Sequence, residues 1–398
     1  MTNTEDHYRP LLALALFVAT TLMAATASAE PYMAVRDGFA CGDCHTNRSG
    51  GGMRTLTAEM HATDILRLPN DGEGLLPAYD DWFSPNVSDY FSIGGDFRAV
   101  DKLLLQDNPD ADGNVSNNTT FRDIESNDMD VEQATIYAHL RLIPDTLSFY
   151  IDEKVAPGGA SNREAFLMLD RLLPWEGAYI KAGRFFPAWG LKLQDDEAFV
   201  NSASGFSFDK TVAGLEMGRS GEGTSWFLSV TEGTEDSDTD QLFTASAYKL
   251  WDEVGGFSHA MAGISAAHDA PDDGEINAFA VYGGASAGRT TVLLQADLLD
   301  TETDVDGDGA ADDDVQAWAV YGEANYLWRD WMNTKVAFDI YDPSDNEAED
   351  TLTRISFGIE PFIDRFLQLR LFYRIFNGPE NLPATNRDEL TLEAHLFF

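Results

Sequence analysis

Gln133-Ala134-Thr135-Ile136-Tyr137-Ala138-His139-Leu140-Arg141-Leu142 decides the fold. Ala134, Ile136, Ala138, Leu140 and Leu142 fall on one face of an extended chain, and Gln133, Thr135, Tyr137, His139 and Arg141 on the other. The C-terminal stretch repeats the arrangement: Leu390, Leu392, Ala394, Leu396 and Phe398 alternate with Glu389, Thr391, Glu393, His395 and Phe397. A small, apolar face backed by a polar or charged one is the lipid-out, lumen-in pattern of an outer-membrane barrel. A soluble all-β protein would instead bury its apolar faces against a second sheet.

Sixteen such segments run from 88–99 to 387–398, an even number, as a bacterial single-chain barrel requires. Their connections alternate. Short turns such as Ile143-Pro144-Asp145, Pro174-Trp175-Glu176-Gly177 and Trp328-Arg329-Asp330-Trp331 follow the even segments. Longer acidic stretches at 100–129, 187–210, 232–240, 268–274, 300–314, 342–349 and 377–386 follow the odd ones. Short periplasmic turns and long outer loops orient the barrel with both termini in the periplasm. Trp175, Trp251, Trp328 and Trp331 gather on the short-turn side as an interfacial girdle. The expected fold is therefore an all-β, 16-stranded antiparallel outer-membrane barrel over 88–398.

Cys41-Gly42-Asp43-Cys44-His45 holds the only two cysteines. Cys-x-x-Cys-His is the pattern by which a c-type haem is attached, with two thioethers and a proximal histidine. A Cys-x-x-Cys disulfide and half of a zinc site are the alternatives, but a second ligand pair for zinc and a thioredoxin-like βαβ setting are both missing. Leu11 to Met23 is an apolar run ending in Ala27-Ser28-Ala29. It reads as a signal peptide over 1–29, cleaved before Glu30, and is too short to span a bilayer as a helix. Export suits the haem. Residues 30–87 then form a short monohaem segment plugging or capping the periplasmic side of the barrel.

The formal charge of −42 becomes −41 once Glu5, Asp6 and Arg9 leave with the leader. Nucleic acid is thereby excluded as a partner, whereas outer-membrane lipid is implied by the barrel. With 44% hydrophobic and 12% aromatic residues, the chain is folded rather than disordered.

A leader, one Cys-x-x-Cys-His and a porin-like barrel together resemble the fused monohaem cytochrome–porin family of outer-membrane proteins. Residues 31–36 and 45–52 resemble one branch of it, and Lys181-Ala182-Gly183-Arg184-Phe185-Phe186-Pro187 resembles a porin strand end. The resemblance implies haem c on Cys41, Cys44 and His45, and electron exchange between extracellular Fe(II), or another redox partner, and a periplasmic cytochrome or other carrier. It would make the chain an iron:cytochrome c oxidoreductase. Two other readings stand beside it: a cation-selective porin with structural or no haem, and a peroxidase-like enzyme with five-coordinate haem.

A sixth iron ligand separates electron transfer from small-molecule chemistry. His61 is the leading candidate, with Met53, Met60, His139 and His395 as alternatives; strand parity puts the last two in the lumen, as neighbours at the plug's entrance. Arg48, Arg54, Arg141, Arg370 and Arg374 are candidates to pair with haem propionates. Tyr137, Tyr321 and Tyr341 face the lumen. Asp304, Asp306 and Asp308, followed by Asp312, have the alternate-carboxylate spacing of a Ca²⁺ loop. Val315 stands where the closing glutamate would be, so a solvated acidic loop is the alternative. Such outer loops would gather cations by electrostatic focusing.

Overall fold

A computed structural model describes residues 30–65, 85–106, 123–207, 210–221, 223–233, 241–271, 274–303, 313–347, 349–364, 366–379 and 385–398. The leader and all four aspartates of the Ca²⁺ motif lie outside the described residues.

The barrel strands are β2 (Phe91–Gln106), β3 (Asp123–Ile143), β4 (Leu147–Ala156), β5 (Ser161–Asp170), β6 (Ala178–Phe185), β7 (Val212–Arg219), β8 (Thr224–Glu232), β9 (Gln241–Val254), β10 (Phe257–Asp269), β11 (Gly274–Ala287), β12 (Thr290–Thr303), β13 (Asp313–Arg329), β14 (Met332–Asp342), β15 (Leu352–Asp364), β16 (Leu367–Asn377) and β17 (Arg387–Phe397). Each pairs antiparallel with its neighbour in sequence. The ring closes through β17 on β2, from Arg387 opposite Gln106 to Phe397 opposite Asp96. A short β1 (Asn86–Ser88) lies against the start of β2 and stands outside the expected sixteen.

Several strands outrun the expected limits. β3 begins at Asp123 rather than 130, because residues 123–129 of the expected outer loop pair with 101–106 of β2. The outer face is apolar, with Ile136, Leu140, Ile264, Val281, Leu294, Ile359 and Leu392 exposed. The inner face buries Glu164, Lys181, Asp339, Arg354 and His395, which have no exposed surface. That inversion fits a barrel whose outside is solvated by lipid and whose inside is polar. Trp175 and Trp328 stand exposed at the short-turn end, whereas Trp331 packs against the interior cluster.

Two segments fill the lumen. The first enters at the short-turn end and comprises α1 (Pro31–Asp37), α2 (Cys41–Cys44) and α3 (Leu56–Ile65). Glu30 is clamped by Arg370 at 2.8 Å and Lys335 at 3.0 Å. Helix α1 packs on β10, β11 and β12, with Val35 buried beside Gly284, while buried Tyr32 lies under the Lys335 ammonium of β14. Gly42 N–H donates to Ser220 in the β7–β8 turn, and Arg48 pairs with Asp170 at the end of β5. Asn47 bonds Glu164, while Lys181 reaches Asn47 and Ser49. Residues 30–55 are therefore a plug inside the barrel, not a separately packed domain.

The second segment is the connection from β6 to β7, expected as an outer acidic loop. It turns inward instead and carries α4 (Phe199–Ser202). Its acids meet lumenal cations: Asp195 lies 2.8 Å from Arg354, Glu197 lies 2.8 Å from Lys102, and Asp196 lies 3.6 Å from Arg98. Buried acids without partners would be costly, so basic strand residues hold the loop within. These carboxylates are spent on the lumen and do not decorate the outer mouth.

Candidate cofactor site in the lumen

The plug and the inward loop enclose a cavity between them. It is lined from the plug by Cys41, Cys44, His45, Arg54 and His61, and from the loop by Ala188 to Lys192 and Gln194. The space between them is about 1390 Å³, part of it open to solvent.

Local structure explains how the cysteines share this cavity. Cys41 and Cys44 are three residues apart on the single turn of α2, so they project on one face. Asp43 accepts a 2.8 Å hydrogen bond from the Ala40 N–H and secures the start of the turn. His45 then leaves in an extended conformation. It is bridged to Arg54 across a reversal containing Gly50, Gly51 and Gly52, all with positive φ. His45 Nδ1 lies 3.2 Å from the Gly52 carbonyl oxygen. With Nδ1 donating there, Nε2 keeps its lone pair, the arrangement typical of a metal-bound histidine.

Burial pushes the His45 imidazole down to about 4, so the ring is neutral at neutral pH. Burial also pushes both thiols up, Cys44 to about 12. These are protonated, unpaired thiols, whereas a reactive redox cysteine has a depressed value. Among the described residues, His, Cys, Asp and Glu nowhere gather as a metal-holding group of three or more. Two free thiols and a neutral imidazole on one cavity are the donor set that a covalently attached macrocycle would need. Cys41 and Cys44 could bind it and His45 could ligate its iron.

The other candidates separate clearly. His61 lines the cavity, with Nε2 3.0 Å from Asp37 and its ring edge-on to Phe39. Met60, its neighbour in sequence, is 59% exposed. Met53 is buried and its N–H donates to the Tyr150 hydroxyl. His139 and His395 are lumenal but not neighbours: they pair with Ser92 and Arg98 of β2, six residues apart, or roughly 20 Å along a strand. His139 contacts Arg141, and His395 contacts Asp96 and Gln194.

Of the expected propionate partners, only Arg54 lines the cavity. Arg48 is paired with Asp170, Arg141 holds the chain entry through Ser88 and Asp89, Arg370 is spent on Glu30 and Glu393, and Arg374 lies in a separate polar cavity. Arg98, Arg163 and Lys192 line the cavity instead. Strand parity carries a signal for Arg98 and Arg163, both inward on β2 and β5. Lys192 was not legible, because nothing in the sequence marks 187–207 as turning inward. Tyr137 lines the cavity, Tyr321 is buried deeper among acids, and Tyr341 packs on Phe199.

This architecture defines a porin-like β-barrel of the outer membrane with an occupied lumen. No family model matches the chain, and no curated protein matches it. Among solved structures it is similar to OmpT of Vibrio cholerae, with 12% identity over 79% of this chain and 100% of that one and a TM-score of 0.54. It is also similar to an anion-selective porin from Comamonas acidovorans, with 10% identity over 77% and 99% and a TM-score of 0.55. A third is OmpF of Salmonella typhi in complex with Daunomycin, with 14% identity over 78% and 98% and a TM-score of 0.53. At such identities the likeness is one of fold.

Proposed function

We propose that the chain is an outer-membrane electron conduit carrying one haem c on Cys41 and Cys44, with His45 as proximal ligand. The observation that carries this reading is the convergence of both thiols and a pre-oriented, neutral imidazole on one lumenal cavity. Bound there, the group would supply one-electron chemistry. The plug residues fix the thiols and the imidazole. The inward loop covers the cavity from the other side and limits the access of water.

One haem is smaller than the roughly 25 Å apolar band of such a barrel, so redox partners must approach from both sides. A soluble periplasmic cytochrome fits the short-turn end, where the plug lies. An extracellular donor, Fe(II) in the sharpest version, fits the opposite mouth. Covalent haem by mass in protein from a host competent in cytochrome c maturation tests the attachment. Proteoliposomes of uniform orientation, supplied with external Fe²⁺ and an enclosed cytochrome, test the conduit. Reduction of the haem and then of the cytochrome is expected. A haem that dithionite reduces and Fe²⁺ does not would overturn the iron-oxidising version.

The barrel's likeness to porins favours a second reading, a solute channel with structural or no haem. The lumen gives no basis for the cation preference expected from the acidic total, since Arg98, Arg354, Arg370 and Arg374 line it beside the acids. Ion conductance in planar bilayers without any redox response would favour that channel.

A further inference from the structure

β3 is 21 residues long, and its two neighbours do not match it equally. β2 pairs with it from Phe91 opposite Leu140 to Gln106 opposite Asp123. β4 reaches only from Leu147 opposite Ile143 to Ala156 opposite Ala134. Residues 124–133 therefore have one ladder partner and, among the described residues, one open edge. A tilted strand needs about 9–11 residues to cross the apolar band. The stretch paired with β4 supplies that length, so the overhang stands beyond the band at the long-loop end, which short periplasmic turns place outside the cell. Residues 124, 125 and 127–130 are exposed, so both faces of the overhang meet solvent.

The chain covers another overhang of the same kind. β13 begins at Asp313, whereas its pairing with β14 starts at Trp318. There the connection after β14 folds back: Asp345 N–H donates to the Gln316 carbonyl at 3.0 Å, Gln316 N–H donates to the Asp345 carboxylate at 3.1 Å, and Asn346 donates to the Asp314 carbonyl at 2.8 Å. The overhang of β3 has no such cover among the described residues. The Asp130 carboxylate that accepts from Val131 N–H at 2.7 Å belongs to the strand itself.

An open edge of this length presents about five N–H and about five C=O groups. Its charges decide what can join it. Glu125, Asp128 and Asp130 are exposed, Glu125 and Glu132 are the extra residues of two bulges against β2, and no basic residue occurs from 123 to 133. Acids and bulges keep an edge from joining another of its kind. Two copies paired through β3 would set carboxylates against carboxylates, which is unfavourable, whereas a strand carrying lysine or arginine meets opposite charge.

We propose that the open edge of β3 takes an extended, cationic segment of an extracellular polypeptide as an added strand. Main-chain hydrogen bonds supply the affinity, and the carboxylates supply the choice of partner. The surface does not depend on a cofactor in the lumen.

The test uses the full chain in lipid nanodiscs and a short blocked peptide of alternating lysine and valine. Its control is the same peptide N-methylated at every residue, which keeps the charge and loses the N–H donors. The unmethylated peptide is expected to bind about tenfold more tightly than the control, and to slow hydrogen exchange over 123–133 but not in the closed part of the barrel. E125Q/D128N/D130N, checked for a folded barrel by heat-modifiability on gels, should weaken binding about tenfold. If that variant does not fold, salt at about 0.5 M should weaken binding to the wild type, since exposed charges are screened. Equal binding of the two peptides, or binding without added protection of β3, would reduce the contact to general charge attraction and overturn the proposal. Absence of binding overturns it as well. Protection of 123–133 that rises with protein concentration in the absence of peptide would assign the edge to a second copy and overturn it too.

Discussion

His45 Nδ1 lies 3.2 Å from the carbonyl oxygen of Gly52, seven residues along the plug, and the geometry of Gly52 leaves no room for a side chain. Its φ is +66°, and an added Cβ would stand 2.3 Å from the Tyr150 hydroxyl, which holds the next residue through Met53 N–H. Gly52→Ala is therefore expected to cost about 1–3 kcal/mol from backbone strain and displaced packing. It should also turn the carbonyl away from His45. The expected result is reduced incorporation of covalent haem per barrel, read by mass and visible absorbance. Incorporation at the wild-type level would show that this bond does not orient the imidazole.

Glu30 ties the start of the plug to the barrel. Burial alone would raise its carboxyl, but Lys335 and Arg370 beside it, with a hydrogen bond from Gln368, hold it at about 2 against an ordinary 4.5. A depressed carboxylate stabilises the docked state above its ordinary value. Docking strength is thus fully present above pH 4.5 and fades as the pH falls toward about 2. Glu30→Ala removes one partner of a buried ionic cluster, a change of about 3–5 kcal/mol. Hydrogen exchange across 30–54, corrected for intrinsic rates, should rise at pH about 3 in the wild type and already at neutral pH in the variant. Equal protection in both proteins at both pH values would remove Glu30 from this role.

Asp195 and Arg354 pin the inward loop to β15. Arg354 is fully buried and keeps Asp339 as a second partner at 2.8 Å, so loss of Asp195 would free the loop more than the strand. Asp195→Ala is expected to weaken loop docking by about 2–3 kcal/mol, the scale of a charged hydrogen bond. Planar-bilayer recordings should then show larger and noisier ion conductance than the wild type. Unchanged conductance would place the narrowest point elsewhere.

The barrel was legible because a period-two pattern is imposed by two solvents, lipid outside and a polar lumen inside, residue by residue along every strand. Gln133 to Leu142 carries that information in ten positions. The proposed attachment site was legible because Cys41, Cys44 and His45 are local. The inward loop was not: Asp195, Asp196 and Glu197 are acidic like any outer loop, and only their distant partners Arg354, Arg98 and Lys102 reveal where they go. The same holds for Lys192. Parity put His139 and His395 correctly in the lumen, yet strand stagger, which no single strand encodes, set them apart.

His61 is the candidate sixth ligand that the cavity retains. Met60 is exposed, Met53 is buried outside the cavity lining, and His139 and His395 are held by Arg141 and Asp96 away from that lining. Its Nε2 now contacts Asp37 at 3.0 Å, so binding of iron through that nitrogen would exchange one partner for another, and Asp37 would tune how readily it does so. If His61 closes the iron, the reduced wild-type protein should bind carbon monoxide slowly and incompletely, while His61→Ala should bind it at once with a high-spin spectrum before addition. Asp37→Asn should leave covalent haem unchanged and lower the carbon monoxide rate, because it weakens the competing hold on the imidazole. Carbon monoxide binding that is equally fast in the wild type and in His61→Ala would exclude His61 as the ligand. Together with turnover of peroxide, that outcome would favour an enzyme with an open iron over an electron conduit.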